Sequence, residues 1–314
     1  MCTCITWPGT EFYFGRNLDL DRGFGGEPVR VPRNFPLRFR HQPELSRHYA
    51  MTGMARVEEG EPLFAEAGNE KGLCMAGLYF PGNAVYREPE AGKDNIASFE
   101  LIPWILGNCA SVKEAETLLA RLHIVTTAFS QTLSPAPLHW MLADEANCLV
   151  LESVEEGLQI YNNPIGVLTN NPPFPFHCMN LNRYLNLTPG QPRNGFAPGL
   201  RLEPYSQGMG ALGLPGDASS VSRFVRAAFA RWNALPGKNR AEGVQQFFHI
   251  LDSVAMVRGT VLTPEGRPDM TRYACCFGAG AYYYKTYWDS RIREVRLPEE
   301  NLESACLYRG NRVE

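Results

Sequence analysis

Two strand-type runs separated by Pro8 and Gly9 open the chain, and they commit its first residues to a sheet rather than to a free tail. CTCITW is a short apolar β-type run; FYFGRNLDLD, beyond the Pro-Gly turn, alternates well enough to be the returning strand of a hairpin. Such pairing brings Arg16 and Asp19 back beside the N-terminus. The consequence is chemical, because the first run starts at Cys2. Removal of Met1 leaves a cysteine whose own α-amine lies next to its thiol. The amine titrates near about pH 8 and the thiol near about 8.5, so at neutral pH the unprotonated amine takes the proton of the nucleophile. An arginine stabilises a thiolate electrostatically, and an aspartate orients an N-terminal amine by hydrogen bonds. The competing reading is an incidental small hydrophobe at Cys2 and a surface salt bridge between Arg16 and Asp19.

Further along, strand clusters and helix pairs alternate without a regular βαβ repeat. Ser111 to Leu122 reads as an amphipathic helix, with Ser111 at the N-cap, Glu114 three residues on, and Val112, Ala115, Leu118, Leu119 and Leu122 on one stripe. Ser98 to Cys109 carries helical spacing, with a start close to Pro103. From Leu138, the runs LHWMLAD, CLVLESV, LQIYNN and GVLTNN read as consecutive antiparallel strands. Residues 172 to 218 are rich in Pro, Gly and Asn and read as a long loop or projecting excursion. Helices at Ser219–Trp232 and Ala241–Val254 follow, then strands at TRYACCF, YYYKTYW and REVRL. Strand groups interleaved with helix pairs predict an α+β fold in which antiparallel sheets are sandwiched between helices.

Composition removes several classes. With 314 residues, 44% of them hydrophobic and 11% aromatic, the chain buries a large core, and its formal charge of −3 offers no basic footprint for nucleic acid. No apolar run reaches the roughly 18 to 20 residues of a membrane span, and a secretory h-region is missing at the start. The nine cysteines lack paired C-x-x-C spacing, so the expectation is a reducing, cytoplasmic setting with buried free thiols. None of the six histidines has H-E-x-x-H spacing, and no metal site is expected. Gly208, Gly210 and Gly213 match G-x-G-x-x-G, but Pro215 and Gly216 follow where a helix has to open. A G-x-S-x-G elbow does not occur. His139 reads as a core or loop histidine, and Cys275 and Cys276 as packing residues.

MCTCITW, YFGRNLDL, NEKGLCMAGLYFPG, GVLTNNP, GLPGDASSVSRFVR and FFHILDSVAMVRG, in this order from Cys2 to about Asn301, together resemble the choloylglycine hydrolase family, the bile salt hydrolases and penicillin V acylases among the N-terminal nucleophile hydrolases. The resemblance implies a four-layer αββα sandwich of two antiparallel sheets covered by helices. It also implies one such domain over residues 2–314 with an assembly arm at about 188–215, and a homotetramer. It makes Cys2 the nucleophile and its α-amine the base. Arg16 lies against the nucleophile, and Asp19 holds the amine. Asn170 and the backbone N–H of Tyr79 serve the oxyanion, and Arg223 stabilises the centre. No cofactor is implied.

Substrate is less uniform. Typical bile salt hydrolases carry an asparagine where this chain has Tyr79, and a tyrosine there resembles the penicillin V acylase branch; its ring could stack on a phenoxyacetyl group or pack on a steroid face. The remainder of the chain resembles bile salt hydrolases of Gram-positive gut bacteria, so glycine- or taurine-conjugated bile salts are the favoured substrates. Leu20, Phe24, Phe129, Leu133 and Leu138, with Tyr79 and Phe80 opposite, are the candidate walls of a steroid-sized pocket, ordinary core packing being the competing reading. Alternatives are penicillin V acylase, N-acyl homoserine lactone acylase, and a non-enzymatic binder of amphipathic ligands.

Overall fold

In the computed structural model, which describes residues 1–296 and 298–313, the first hairpin forms as read. Strand β1 (Cys2–Pro8) pairs antiparallel with β2 (Phe12–Leu20), placing Cys2 opposite Leu18 and Cys4 opposite Arg16. Both strands are buried on both faces, as strands sandwiched on either side must be. Next come β3 (Glu27–Val31), β4 (Met51–Glu58), β5 (Glu61–Asn69) and β6 (Cys74–Tyr79), an antiparallel meander in a second sheet. Strand β7 (Asp94–Ala97) pairs in parallel with β8 (Leu122–Val125), and between them lie helices α1 (Leu101–Asn108) and α2 (Val112–Leu119). Then β9 (Leu138–Ala143), β10 (Cys148–Val154) and β11 (Gly157–Asn162) extend the second sheet. Strand β12 (Val167–Leu168) precedes helices α3 (Phe174–Leu181), α4 (Ser220–Asn233) and α5 (Arg240–Asp252). The last strands are β13 (Val261–Leu262), β14 (Pro268–Gly278), β15 (Ala281–Thr286), β16 (Arg293–Val295) and β17 (Tyr308–Arg309).

The first sheet runs β12-β1-β2-β14-β15-β16, with β13 beside β14; the second runs β11-β10-β9-β6-β5-β4-β3-β17. Helices α4 and α5 cover the outer face of the first sheet, and α1 lies on β5 and β6 of the second. One apolar core fills the space between the sheets and under α4 and α5, and another lies between the second sheet and α1–α2. This is the αββα sandwich. Among the described residues no helix is long and apolar enough to cross a membrane.

Three readings need correction. Leu122 starts β8 rather than continuing the helical stripe, because α2 ends at Leu119 and the chain turns to pair with β7. GVLTNN does not continue the meander: β12 leaves for the other sheet and pairs with β1, Cys4 opposite Leu168. Residues 172–218 contain α3, whose Phe174, His177 and Asn180 are buried; its prolines sit at and near the first turn, where a missing N–H costs nothing. The predicted cap at Ser111 holds. Ser111 Oγ accepts from Glu114 N (3.2 Å), and Glu114 Oε2 in return accepts from Ala110 N (2.7 Å). Gly15 shows why the second strand carries a glycine: a Cβ there would run into the Cys275 carbonyl of β14.

Candidate active site

Cys2, the first residue of β1, is 2% exposed. Its backbone N–H donates to Asn170 Oδ1 (2.8 Å), and Asn170 lies two residues past β12, the strand that flanks β1. Arg223, in the first turn of α4, is fully buried rather than solvated. It donates to the Cys2 carbonyl, to Thr3 Oγ1 (2.6 Å) and, from its other terminal nitrogen, to the same Asn170 Oδ1 (2.8 Å). Asn170 Nδ2 donates to the Tyr79 carbonyl (2.7 Å), and Asn170 N to Ser220 Oγ (2.8 Å). Residues distant in sequence thus close one network, in which a central side chain accepts twice and donates once.

The hairpin brings Asp19 and Arg16 to the same end. Asp19 Oδ1 accepts from Thr271 Oγ1 (2.6 Å), while its buried Oδ2 has no partner among the described residues. Burial pushes its carboxyl up, opposed by Arg223, the chain amine and Thr271. With Met1 in place the amine donates to the Asp19 carbonyl (2.6 Å) and to Asp269 Oδ2 (3.4 Å), so it is the Asp19 backbone that holds it. The physical reason is position: this amine sits one residue upstream of the Cys2 nitrogen, which is still a peptide N–H. Arg16 is fully buried and donates to the carbonyls of Gly77 (2.5 Å) and Ala65 (3.2 Å). Burial works against its charge, but Cys2 and Glu66 outweigh burial and keep the guanidinium strongly protonated.

The strand register explains how β6 serves this end. Tyr79 faces Leu138 on β9, and the next residue donates from Phe80 N to the Pro137 carbonyl (2.8 Å), which makes Tyr79–Leu138 a non-hydrogen-bonded pair. The Tyr79 N–H and C=O therefore point away from β9, toward the edge that β5 leaves uncovered beyond Ala76. That edge already gives Gly77 O to Arg16 and Tyr79 O to Asn170. The Tyr79 ring is 46% exposed.

The candidate pocket residues divide. Leu20 and Phe24 are half-buried against the core that contains Cys2. Leu138 packs into the core beneath α1 and α2, on the far face of its strand. Phe129 is buried edge-to-face with Phe99 (5.3 Å) and under Arg40, and half-buried Leu133 bridges to Ser130 in the same loop. Phe80 is fully buried and stacked on His139 (4.2 Å), so for Phe80 it is the core reading that holds.

Several supports escaped sequence reading. His139 is a core histidine as read, but Nε2 bonds the Thr169 carbonyl (2.9 Å) and Nδ1 meets Glu152 Oε1 (3.0 Å), while His177 Nε2 bonds the Asn170 carbonyl (3.0 Å). Two buried imidazoles thus fix the turn that carries Asn170. Thr271 and Ser220 were equally silent; single hydroxyls carry no pattern, and only the register of β14 on β2 and the start of α4 reveal them. No group of three or more possible metal ligands occurs among the described residues.

Comparison with known proteins places this arrangement among enzymes that hydrolyse linear amide C–N bonds. A family model described as linear amide C-N hydrolases, choloylglycine hydrolase family, matches residues 2–309, and the chain belongs to that family. It is 46% identical over 309 residues to the bile salt hydrolase/transferase of Lactiplantibacillus plantarum, across 98% of this chain and 95% of the other. To the protein of the same description from Clostridium perfringens it is 38% identical, across 96% and 94%. A crystal structure of a mutant conjugated bile acid hydrolase from Clostridium perfringens superposes with a TM-score of 0.91 at 36% identity, covering 99% of this chain and 97% of that one. The penicillin V acylase of Agrobacterium tumefaciens shares the fold, with a TM-score of 0.78 at 18% identity.

Proposed function

We propose that this enzyme hydrolyses the amide bond of glycine- or taurine-conjugated bile salts through a thioester on Cys2. The observation that carries the substrate is near full-length similarity, 46% identity over 98% of the chain, to a protein described as a bile salt hydrolase/transferase. The observation that supports the mechanism is the convergence of Asn170 and Arg223 on Cys2, with Arg16 and Asp19 returned beside it by the hairpin.

Loss of Met1 turns the Cys2 nitrogen into a free amine. That amine takes the thiol proton, and the thiolate attacks the amide carbonyl carbon. The oxyanion receives hydrogen bonds from the Tyr79 N–H and from the Asn170 amide proton not used by Tyr79 O. The intermediate collapses to the thioester as the ammonium returns the proton to the leaving nitrogen; the amine then activates water, which releases the bile acid. Arg16 favours the thiolate, and Asp19 and Asn170 Oδ1 hold the ammonium form. The chemistry needs no cofactor.

The residues 2–314 form one catalytic domain in this reading, and the segment 188–215 is the arm of a homotetramer, supported by Phe196 and Tyr205, 83% and 86% exposed there. Gel filtration at micromolar concentration checks the arm: elution at 35 kDa would refute it. The substrate is tested by kcat/KM for glycocholate, taurocholate and penicillin V in parallel, with Cys2→Ala as control. Bile conjugates are expected to be preferred. Preference for penicillin V would give Tyr79 the deciding role, and inactivity on all three would turn attention to acyl homoserine lactones or to ligand binding without turnover.

A further inference from the structure

Beneath Arg16, on the side away from the chain terminus, lies a second buried cluster that the mechanism above does not use. Glu66 is fully buried in the space between the sheets. Its carboxylate accepts from Tyr273 Oη (3.0 Å to Oε1, 2.9 Å to Oε2) and from Tyr282 Oη (2.9 Å to Oε1), and Oε2 stands 3.7 Å from Arg16 Nη1. Both tyrosines are equally buried, and both belong to the opposite sheet. An ionised carboxylate in such a place is expensive unless it is paired and hydrogen-bonded.

Two β-bulges build the cluster. The pairing of β4 with β5 runs from Met54–Glu66 to Ala55–Phe64, leaving Ala65 as the extra residue. The bulge turns Ala65 and Glu66 toward the same inter-sheet space, and the freed Ala65 carbonyl accepts from Arg16. On β14 the register shifts between Thr271 and Tyr273, so that Thr271 meets Asp19 while Tyr273 meets Glu66. Arg16 emerges with Nη1 bound from below and Nη2 buried with no partner among the described residues.

We propose that Glu66, held by Tyr273 and Tyr282, is a positioning residue that sets the charge Arg16 presents to the Cys2 thiol, and so tunes the pH at which the nucleophile ionises. This inference rests on Cys2 being the nucleophile. The other titratable groups facing the cluster are Cys4 and Cys275, neutral thiols whose burial pushes them up. On the terminal side Cys2 also faces Arg223, itself opposite Asp19 and Asp269.

The test is the pH dependence of inactivation by iodoacetamide, read as lost hydrolysis and as mass added to the N-terminal peptide of the Met1-processed enzyme. Glu66→Gln keeps an acceptor for the tyrosines but removes the charge that neutralises Arg16. The midpoint is expected to fall by about half a unit to one unit, a rise of roughly 3- to 10-fold in alkylation rate below the midpoint. Burial pushes the Glu66 carboxyl up and the Tyr282 hydroxyl opposes it, so Tyr282→Phe lets Glu66 protonate, leaves Arg16 less neutralised and is expected to lower the midpoint as well. Glu66→Asp disturbs the same packing but keeps the charge, and its midpoint is expected to stay closer to wild type than that of Glu66→Gln. Unmoved or raised midpoints in Glu66→Gln and Tyr282→Phe, or a Glu66→Asp displacement as large as that of Glu66→Gln, overturn the inference; if Glu66→Gln does not fold, an unmoved or raised midpoint in Tyr282→Phe does so alone. Wild-type enzyme that still hydrolyses substrate after complete labelling of Cys2 would instead refute the Cys2 mechanism itself.

Discussion

Replacement of Asn170 by alanine tests the site most directly, because that side chain joins three segments. It accepts from Cys2 N and Arg223 Nη2 at 2.8 Å each and donates to Tyr79 O at 2.7 Å. A buried hydrogen bond left unmade costs about 1–3 kcal/mol, toward the upper end when the stranded partner is charged, as Arg223 is. The three together make the loss about 3–5 kcal/mol. Against a typical stability of about 5–15 kcal/mol the fold persists. At roughly 2 °C per kcal/mol for a large domain, Tm falls by about 6–10 °C. In the proposed mechanism turnover falls further than stability explains, because loss of one oxyanion donor lowers kcat by about 100- to 1000-fold. The assay pairs thermal unfolding with kcat on a bile conjugate, using Asn171→Ala as comparison, since among the described residues Asn171 Nδ2 donates only to the Pro81 carbonyl, at an exposed site. A folded, Met1-processed Asn170→Ala enzyme working within a few-fold of wild type would remove Asn170 from the chemistry.

Glu152→Ala strands His139 and the Phe174 N–H, both buried, and is expected to cost about 3–5 kcal/mol in denaturant unfolding; a loss below about 1 kcal/mol would mean that the pair does not hold the Asn170 turn. Gly15→Ala forces the Cys275 backbone away and is expected to abolish soluble expression or lower stability by about 3 kcal/mol or more, a normal Tm being the contrary result. Asp217 is held down at about 2 by Ser219 and Ser222 at the start of α4, so its ionised form contributes stability above the ordinary carboxyl range and loses it as pH falls through about 2. Asp217→Asn should therefore melt lower than wild type at pH 7, the gap closing between pH 5 and 2; a gap constant with pH would contradict this.

The sequence by itself determined the local elements and named the candidate residues of the site. Alternation on either side of Pro8-Gly9 gave the hairpin, and with it the return of Arg16 and Asp19 to the terminus, because strand pairing across a short turn needs no information from elsewhere. Ser111 and Glu114 marked α2 for the same reason: a cap is an interaction within one turn. Motif resemblance added Asn170 and Arg223, which no local rule would have singled out. What only the tertiary structure decided depends on contacts between segments far apart in the chain. Strand β12 left its apparent neighbours to pair with β1, and that crossing is what delivers Asn170 to Cys2. The bulges at Ala65 and Arg272 depend on the register of two strands against their partners, and a single strand does not encode its register. Glu66 read in isolation is one more charged residue in an alternating run; a surface position would have suited it. Its burial against Arg16, Tyr273 and Tyr282 exists only once the two sheets are stacked, since water would otherwise solvate each of these groups separately.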